Sequence, residues 1–342
     1  MKSVTAYWSD LNWVSIALWP ISVFYCLLVF VRRLLYRLGL FTAYRSTLPV
    51  IVVGNIYIGG NGKTPLVIEL VEQLKKRGYK PGVVSRGYGA YDKNHHSAAC
   101  PWPRQVTLDQ DAGFFGDEPV LIYQATQCPV FIDPQRSRAV QALEQQTDCN
   151  VIISDDGLQH YALQRDIEIN VTDTRRLYGN GLCLPAGPLR ESRRRLNSVD
   201  YIVYNISRGK LSDSLLDKRS FSMNYTIEAL QSVAEQTQMS MTLEAFKGKI
   251  VHSVAAIGEP DAFFRLLKKH GLQLIEHPFA DHYQFQQQDL DFKDDLAIIM
   301  TAKDAVKCRM LPLNNCWYLP IKADINPQFF EAIEHKLKIR TQ

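Results

Sequence analysis

The chain lacks the marks of a nucleic-acid-binding, zinc-stabilised or secreted protein. Its 342 residues carry a net charge of only +4, which is too weak to argue for nucleic acid as a partner. The seven cysteines are dispersed, with no Cys-x-x-Cys pair and no Cys/His metal spacing, which indicates a reducing compartment and argues against structural zinc. There is no internal repeat and no low-complexity tract. A hydrophobic content of 46% is enough for one or two buried cores.

Charged residues are also missing from the twenty positions 12–31, a stretch rich in tryptophan, tyrosine and phenylalanine. An apolar run of this length can cross a bilayer as a helix. Because Pro20 interrupts the run, an interfacial or half-inserted helix is an open alternative, and so is a buried core helix. Four arginines follow at positions 32, 33, 37 and 45, against Lys2 alone before the run. This asymmetry predicts a membrane-associated helix whose following chain stays in the cytoplasm.

A glycine-rich stretch lies between an apolar run at residues 49–53 and a helical pattern at residues 66–76. A strand, a glycine loop, a Lys-Thr pair and a helix, in that order, wrap backbone N–H groups around a polyphosphate. Lys63 would then reach the β- and γ-phosphates of a nucleotide, and the Thr64 hydroxyl would bind Mg²⁺. The strict P-loop pattern is absent, since its first glycine would fall on Tyr57, and the loop is therefore longer or differently curved. The predicted nucleotide-binding residues of this stretch are Asn55, Gly59, Gly60, Asn61, Gly62, Lys63, Thr64 and Pro65.

Two adjacent aspartates, Asp155 and Asp156, end a predicted buried strand at residues 151–154. A carboxylate at the end of a parallel strand, beside a phosphate loop, is placed to organise Mg²⁺. One of the pair can face the metal while the other serves a second ligand or acts as a base, and the sequence leaves open which does which. We therefore predict that Thr64, Asp155 and Asp156 form a metal site.

Short apolar runs alternate with helical patterns, which is typical of a doubly wound α/β sheet. The sequence predicts strands near residues 50–53, 82–85, 130–133, 151–154, 167–172 and 201–206, and helices near 66–77, 136–146 and 214–217. Beyond a polar stretch at 207–246 it predicts a strand at 250–256, a helix at 261–270, a strand at 296–301 and a final helix at 329–337. We expect four parts: an N-terminal helix with its basic flank (1–45), a P-loop core with a mostly parallel sheet (46–210), a linker (211–246) and a smaller α/β domain (247–342).

Seven motifs together resemble the tetraacyldisaccharide 4'-kinase family, the inner-membrane lipid A kinases of Gram-negative bacteria. They run in the family's order along nearly the full length: residues 53–55 with 59–65, 85–89, 116–119, 155–160, 185–191, 281–282 and 301–307. The resemblance implies that ATP and Mg²⁺ serve to phosphorylate the 4'-hydroxyl of an acylated glucosamine disaccharide 1-phosphate. It implies this lipid A precursor, ATP and the inner-membrane surface as partners, with the catalytic body on the cytoplasmic side.

The resemblance also implies catalytic roles. Asp117 would accept the proton of the sugar hydroxyl, partnered by His282 of the C-terminal lobe. Lys63 is predicted to be catalytic from the glycine loop itself, through charge stabilisation at the β- and γ-phosphates. A base makes chemical sense because a sugar hydroxyl is a poor nucleophile.

Four further residues have implied binding roles. Arg190 offers a bidentate fork for a phosphate of ATP or the 1-phosphate of the lipid. Arg86 would contact a phosphate of the nucleotide. Glu118 and Asp281, the neighbours of the implied base and its partner, are placed with the lipid substrate.

A membrane-recruited P-loop ATPase switch is the alternative function. That class needs a lysine at position 58 to reach a partner subunit, and this chain has Ile58. A single-span structural protein with an accidental glycine loop would not explain Asp155 and Asp156 or the acidic motif at residues 116–119.

Overall fold

The computed structural model describes residues 7–60, 62–90, 102–109, 112–207, 209–212, 215–233 and 239–341. The α-helices of these residues are α1 (Trp13–Arg37), α2 (Lys63–Lys76), α3 (Ala112–Phe115), α4 (Asp117–Thr126), α5 (Arg136–Gln146), α6 (Pro260–Lys269), α7 (Ala302–Cys308) and α8 (Pro327–Thr341). Short 3-10 helices span Arg193–Ser198, Leu243–Phe246 and Gln287–Leu290.

The strands of these residues, in chain order, are an earlier set of eight and a later set of seven, and the chain divides into two compact units. The earlier set is β1 (Val50–Gly54), β2 (Pro81–Ser85), β3 (Arg104–Gln105), β4 (Val130–Ile132), β5 (Val151–Asp155), β6 (Ile167–Asp173), β7 (Tyr201–Asn205) and β8 (Ser220–Ile227). The later set is β9 (Leu230–Ser232), β10 (Ser240–Met241), β11 (Ile250–Ala255), β12 (Gln273–Pro278), β13 (Ile298–Thr301), β14 (Cys316–Leu319) and β15 (Ile321–Ile325).

The first unit comprises residues 1–86, 128–224 and 323–342. Its strands follow the order β15-β8-β7-β6-β1-β5-β2-β4, and every pair from β8 to β4 is parallel. β1 and β5 are buried along their whole length, as expected for parallel strands covered on both faces. Val53 of β1 lies opposite Asp155 of β5, so the loops that leave these two strands begin side by side.

Helix α2 begins directly after the glycine loop because its apolar positions recur at helical spacing. Five of them are buried: Leu66, Val67, Leu70, Val71 and Leu74. Gly62 precedes the helix with a φ of 92°, a left-handed conformation that glycine adopts without steric cost. The N-terminus of α2 is therefore directed toward the loop that follows β1.

The end of the chain also belongs to the first unit. The Tyr201 hydroxyl of β7 donates to the Ala332 carbonyl of α8 at 3.1 Å, and the rings of Phe221 and Phe329 lie 5.1 Å apart. Phe329 is completely buried. The two units thus differ from the contiguous domain ranges expected from the sequence. Helix α8 at the end of the chain belongs to the first unit, and β8, within the polar stretch at 207–246, is a strand of the first unit's sheet.

The second unit comprises residues 87–127 and 225–322. Its sheet has the order β10-β9-β14-β13-β11-β12, with β14, β13, β11 and β12 parallel to one another. Residues 87–127, which a linear division assigns to the kinase core, are part of this unit because α4 packs against α7.

Helix α1 is attached to the first unit along one side. Ser22 Oγ donates to the Cys183 carbonyl at 2.7 Å, the Tyr25 hydroxyl donates to the Arg190 carbonyl at 3.0 Å, and Arg33 donates to Ser198 Oγ at 2.7 Å. Its other side exposes large apolar side chains, with Trp13 at 78% exposure. By length and composition the helix could cross a membrane, and its exposure excludes a buried core helix.

The predicted fold class is confirmed: the protein is an α/β protein with mostly parallel sheets and an N-terminal apolar helix. The predicted strands of the first unit correspond to β1, β2, β4, β5, β6 and β7, and the predicted helices to α2 and α5. In the second part of the sequence the predictions correspond to β11, α6, β13 and α8. Of the helix predicted at 214–217, residue 214 lies outside the described residues and 215–217 form no α-helix.

Candidate active site

The glycine loop is braced by Asn55 at the end of β1. This side chain is fully buried, and its Nδ2 donates to the Gly59 carbonyl at 3.2 Å. Its Oδ1 has no hydrogen-bond partner among the described residues. Lys63, Thr64 and Pro65 form the half-buried first turn of α2, where unpaired N–H groups favour an anion. Asn61 lies outside the described residues.

Asp156 forms ion pairs with two basic residues of the first unit. Lys63 Nζ lies 3.3 Å from its Oδ1, and Arg190 lies 3.0 and 3.1 Å from its two oxygens. Burial opposes ionisation of this carboxyl, but the charges of Lys63, Arg190 and Arg136, with the hydrogen bond from Arg190, outweigh it and lower the pKa of Asp156 to about 2. The structure thus brings together three residues that the sequence analysis selected separately.

Arg136, at the start of α5, holds the backbone of the aspartate pair. Its guanidinium is buried and donates to the carbonyls of Asp155 and Asp156 at 2.9 Å each. Burial lowers the pKa of Arg136, against the opposing effect of the two aspartates. Sequence reasoning missed this residue. The available signal was a cation in the first turn of a helix, where the helix dipole disfavours positive charge.

The segment at residues 185–191 lies beside the glycine loop like an added strand. Ile58 N donates to the Pro188 carbonyl at 3.0 Å, and Arg190 N donates to the Ile56 carbonyl at 2.7 Å. Gln159, beyond the aspartate pair, donates to the Asn55 carbonyl at 3.0 Å and to Glu191 at 2.8 Å. Three sequence motifs that are far apart along the chain therefore form one hydrogen-bonded surface in the first unit.

Asp117 and His282 form a hydrogen-bonded pair in the second unit. Asp117 is the first residue of α4, where the helix dipole favours a carboxylate, and it is only 4% exposed. Its Oδ2 lies 3.0 Å from His282 Nδ1. Gly116, which precedes it, has a φ of 92°, and a Cβ there would come within 2.6 Å of the Tyr88 carbonyl oxygen. The expectation that the pair is drawn from two lobes is wrong, since both residues lie in one compact unit.

Lys303 links His282 to Glu118 and Asp281, the two substrate-binding residues predicted in the second unit. Lys303 Nζ lies 3.4 Å from His282 Nε2, 3.7 Å from Glu118 Oε1 and 3.7 Å from Asp281 Oδ1. The side chain of Lys303 is mostly covered, in the first turn of α7. The sequence alone does not select this lysine, because a single lysine in a short helix has no property that separates it from a surface charge.

Arg86 and the predicted metal site complete the set of predicted residues. Arg86 is exposed at the end of β2. Among the described residues, no group of three or more His, Cys, Asp or Glu side chains is placed to hold a metal ion.

Comparison with known proteins identifies the family. The model of the family described as tetraacyldisaccharide-1-P 4'-kinase matches residues 14–338. The chain is 44% identical to tetraacyldisaccharide 4'-kinase of Hahella chejuensis over 94% of this chain and 92% of that protein, and 44% identical to that of Pasteurella multocida over 93% and 94%. Its fold is similar to a crystal structure of LpxK from Aquifex aeolicus in complex with ATP, with a TM-score of 0.78 and 25% identity over 94% of this chain and 99% of that one. The chain belongs to the tetraacyldisaccharide-1-P 4'-kinase family.

Proposed function

We propose that this protein transfers the γ-phosphate of ATP to the 4'-hydroxyl of an acylated glucosamine disaccharide 1-phosphate in lipid A biosynthesis. In a chain of this family, the observation that carries the proposal is the contact of Lys63 and Arg190 with Asp156, beside the glycine loop. Two cations and a carboxylate at the N-terminus of a helix match the charges of a nucleoside triphosphate and its metal.

ATP would lie on the glycine loop, with its phosphates near the N–H groups of the first turn of α2. Lys63 would then exchange its contact with Asp156 for the β- and γ-phosphates, and Arg86 and Arg190 would supply further positive charge. Lys63, which directly precedes Thr64, lies 3.3 Å from Asp156, so Thr64 and the Asp155–Asp156 pair would offer Mg²⁺ the oxygen ligands that it prefers. When bound, Mg²⁺ would neutralise charge on the phosphate oxygens.

Asp117 would act as the base. As the bond from the sugar oxygen to the γ-phosphorus forms and the bond to ADP breaks, the hydroxyl proton passes to the Asp117 carboxylate. His282 occupies one carboxylate oxygen at 3.0 Å, which orients the group and leaves the other oxygen for the hydroxyl. Glu118 and Asp281 lie next to this pair and would contact the sugar.

The apolar face of α1 would insert into the cytoplasmic surface of the bacterial inner membrane. The hydrogen bonds of Ser22 and Arg33 to the first unit are separated by about 16 Å along the helix axis, at 1.5 Å per residue. A helix that spanned the bilayer would bring this polar, hydrogen-bonded body into hydrocarbon, which is prohibitively unfavourable. These contacts favour an interfacial helix.

The test is incubation of the purified protein with Mg²⁺-ATP and a lipid A disaccharide 1-phosphate precursor. Mass spectrometry should show the lipid gaining one phosphoryl group, and a precursor methylated at the 4'-hydroxyl should gain none. Lys63→Met provides the inactive control. Hydrolysis of ATP without a phosphorylated lipid would refute the proposal and favour the ATPase switch.

A further inference from the structure

His282 stands between a carboxylate and an ammonium group. Its Nδ1 lies 3.0 Å from Asp117 Oδ2, and its Nε2 lies 3.4 Å from Lys303 Nζ. Asp281 Oδ1 is 3.9 Å from Nε2, and the Tyr88 ring meets the imidazole edge-on at 5.6 Å between centroids. Both ring nitrogens are thus occupied by side chains of fixed hydrogen-bonding character.

The chemistry of these partners selects one form of the imidazole. An ionised carboxylate only accepts hydrogen bonds, so Nδ1 must carry a proton toward Asp117. An ammonium only donates, so Nε2 must offer its lone pair to Lys303. Together they specify the neutral tautomer protonated at Nδ1. A doubly protonated ring would direct an N–H at the ammonium of Lys303, with like charges 3.4 Å apart.

The backbone at Lys303 is held by residues other than those that its side chain faces. Thr301, the N-cap of α7, accepts from Asp304 N at 3.2 Å. Asp304 accepts from Ala256 N at 3.0 Å and forms an ion pair with Lys307 at 2.7 Å. This buried framework fixes the first turn of the helix. Lys303 also forms ion pairs with Glu118 and Asp281, both at 3.7 Å, and His282 Nε2 is its closest contact of the three at 3.4 Å.

We propose that Lys303 is a positioning residue that keeps His282 neutral and protonated at Nδ1, so that Asp117 remains an unprotonated base with a fixed orientation. The proposal rests on the proposed function, in which Asp117 takes the hydroxyl proton. Glu118 and Asp281 balance the charge of the lysine beside the imidazole. With the lysine charge removed, the histidine can take a second proton and form an ion pair with Asp117, which weakens that carboxylate as a base.

The experiment compares Lys303→Met, Lys303→Gln and Lys303→Arg with Lys269→Met, a control at an exposed lysine of α6 in the same unit. Nitrogen-15 NMR of the His282 ring reads the tautomer without any need for turnover. We expect the neutral Nδ1–H form at pH 7 in the wild type, the control and Lys303→Arg, and a doubly protonated or mixed ring in Lys303→Met and Lys303→Gln.

In kinetics, Lys303→Met should lower kcat about 10–100-fold at pH 7, part of the usual contribution of a general base, with little change in KM for ATP. The acidic limb of its kcat profile should move to higher pH, and Lys303→Arg should restore most of the rate. An unchanged His282 ring in Lys303→Met and Lys303→Gln overturns the proposal, whatever their activity. A wild type that shows the Nδ1–H ring but phosphorylates no lipid refutes the proposed function instead.

Discussion

His160 should make the first unit sensitive to mild acid. Burial is the main cause that lowers the pKa of His160, and the charges of Arg136, Arg165, Arg32 and Arg86 add to it, bringing the value to about 4 from an ordinary 6.5. Its Nε2 is buried and has no hydrogen-bond partner among the described residues. A second proton on this ring is therefore disfavoured in the folded state.

The sign of the effect follows from which state binds the proton first. The unfolded chain protonates His160 near pH 6.5, whereas the folded chain does so only near pH 4. No stability is lost above pH 6.5, and the loss grows as the pH falls and is complete below about 4. Linkage between the two values gives a cost of about 1 kcal/mol at pH 5.5 and about 2–3 kcal/mol at pH 4.5.

The measurement compares wild type with His160→Gln, which cannot titrate. Native-state hydrogen exchange of the amides of β1 and β5 gives the free energy of opening at pH 7.5, 5.5 and 4.5. The difference between the two proteins should shift by about 2–3 kcal/mol in favour of the variant between the first and last pH. His335→Gln, at an exposed position of α8, is the control and should show no such shift. A pH-independent difference for His160→Gln would refute the assigned cause.

Three further results are expected. Lys63→Met should lower kcat about 10²–10³-fold through lost charge stabilisation of the phosphates, and wild-type turnover in this variant would contradict the nucleotide site. Asp117→Asn and His282→Ala should each lower kcat by roughly 10²–10⁴-fold, with the double variant little worse than the poorer single one; multiplicative losses would show that the two act separately. Replacing Phe24 and Phe30, both exposed on α1, by serine should weaken flotation with anionic vesicles at least tenfold and leave ATP affinity unchanged. Unaltered flotation would place the membrane-binding surface elsewhere.

The central strands were readable from sequence because they are buried on both faces. Residues 50–53 and 151–153 are uninterrupted apolar runs, and each lies in a fully buried strand in the middle of the sheet. The proximity of the glycine loop and the aspartate pair followed from the same principle, since neighbouring parallel strands end at the same edge. These elements depend on local pattern alone.

Other elements could not be predicted from local sequence pattern, because their positions depend on packing against distant parts of the chain. Helix α4 was missed because Pro119 lies in its first turn, where proline is tolerated but reads as a helix breaker. Strand β8 was hidden in a polar stretch, although Phe221 and Met223 alternate with polar residues as an edge-side strand requires. The apolar face of α8 predicts a packed helix without specifying the unit that covers it. Lys303 acquires its position only when α7 brings it to His282.

The hydrogen bonds along α1 also fix an angle. A helix held at Ser22, Tyr25 and Arg33 cannot rotate about its own axis without breaking these hydrogen bonds. In a molecule bound to a bilayer, the same face of α1 would therefore always point toward the membrane. On a bilayer, if the protein binds one as proposed, the search for a lipid substrate would take place in two dimensions, with the first unit presented to the membrane in one fixed orientation. Tyr25 donates to the carbonyl of Arg190, and the Arg190 guanidinium donates to Asp156. The orientation of α1 is therefore linked by hydrogen bonds to the proposed phosphate site.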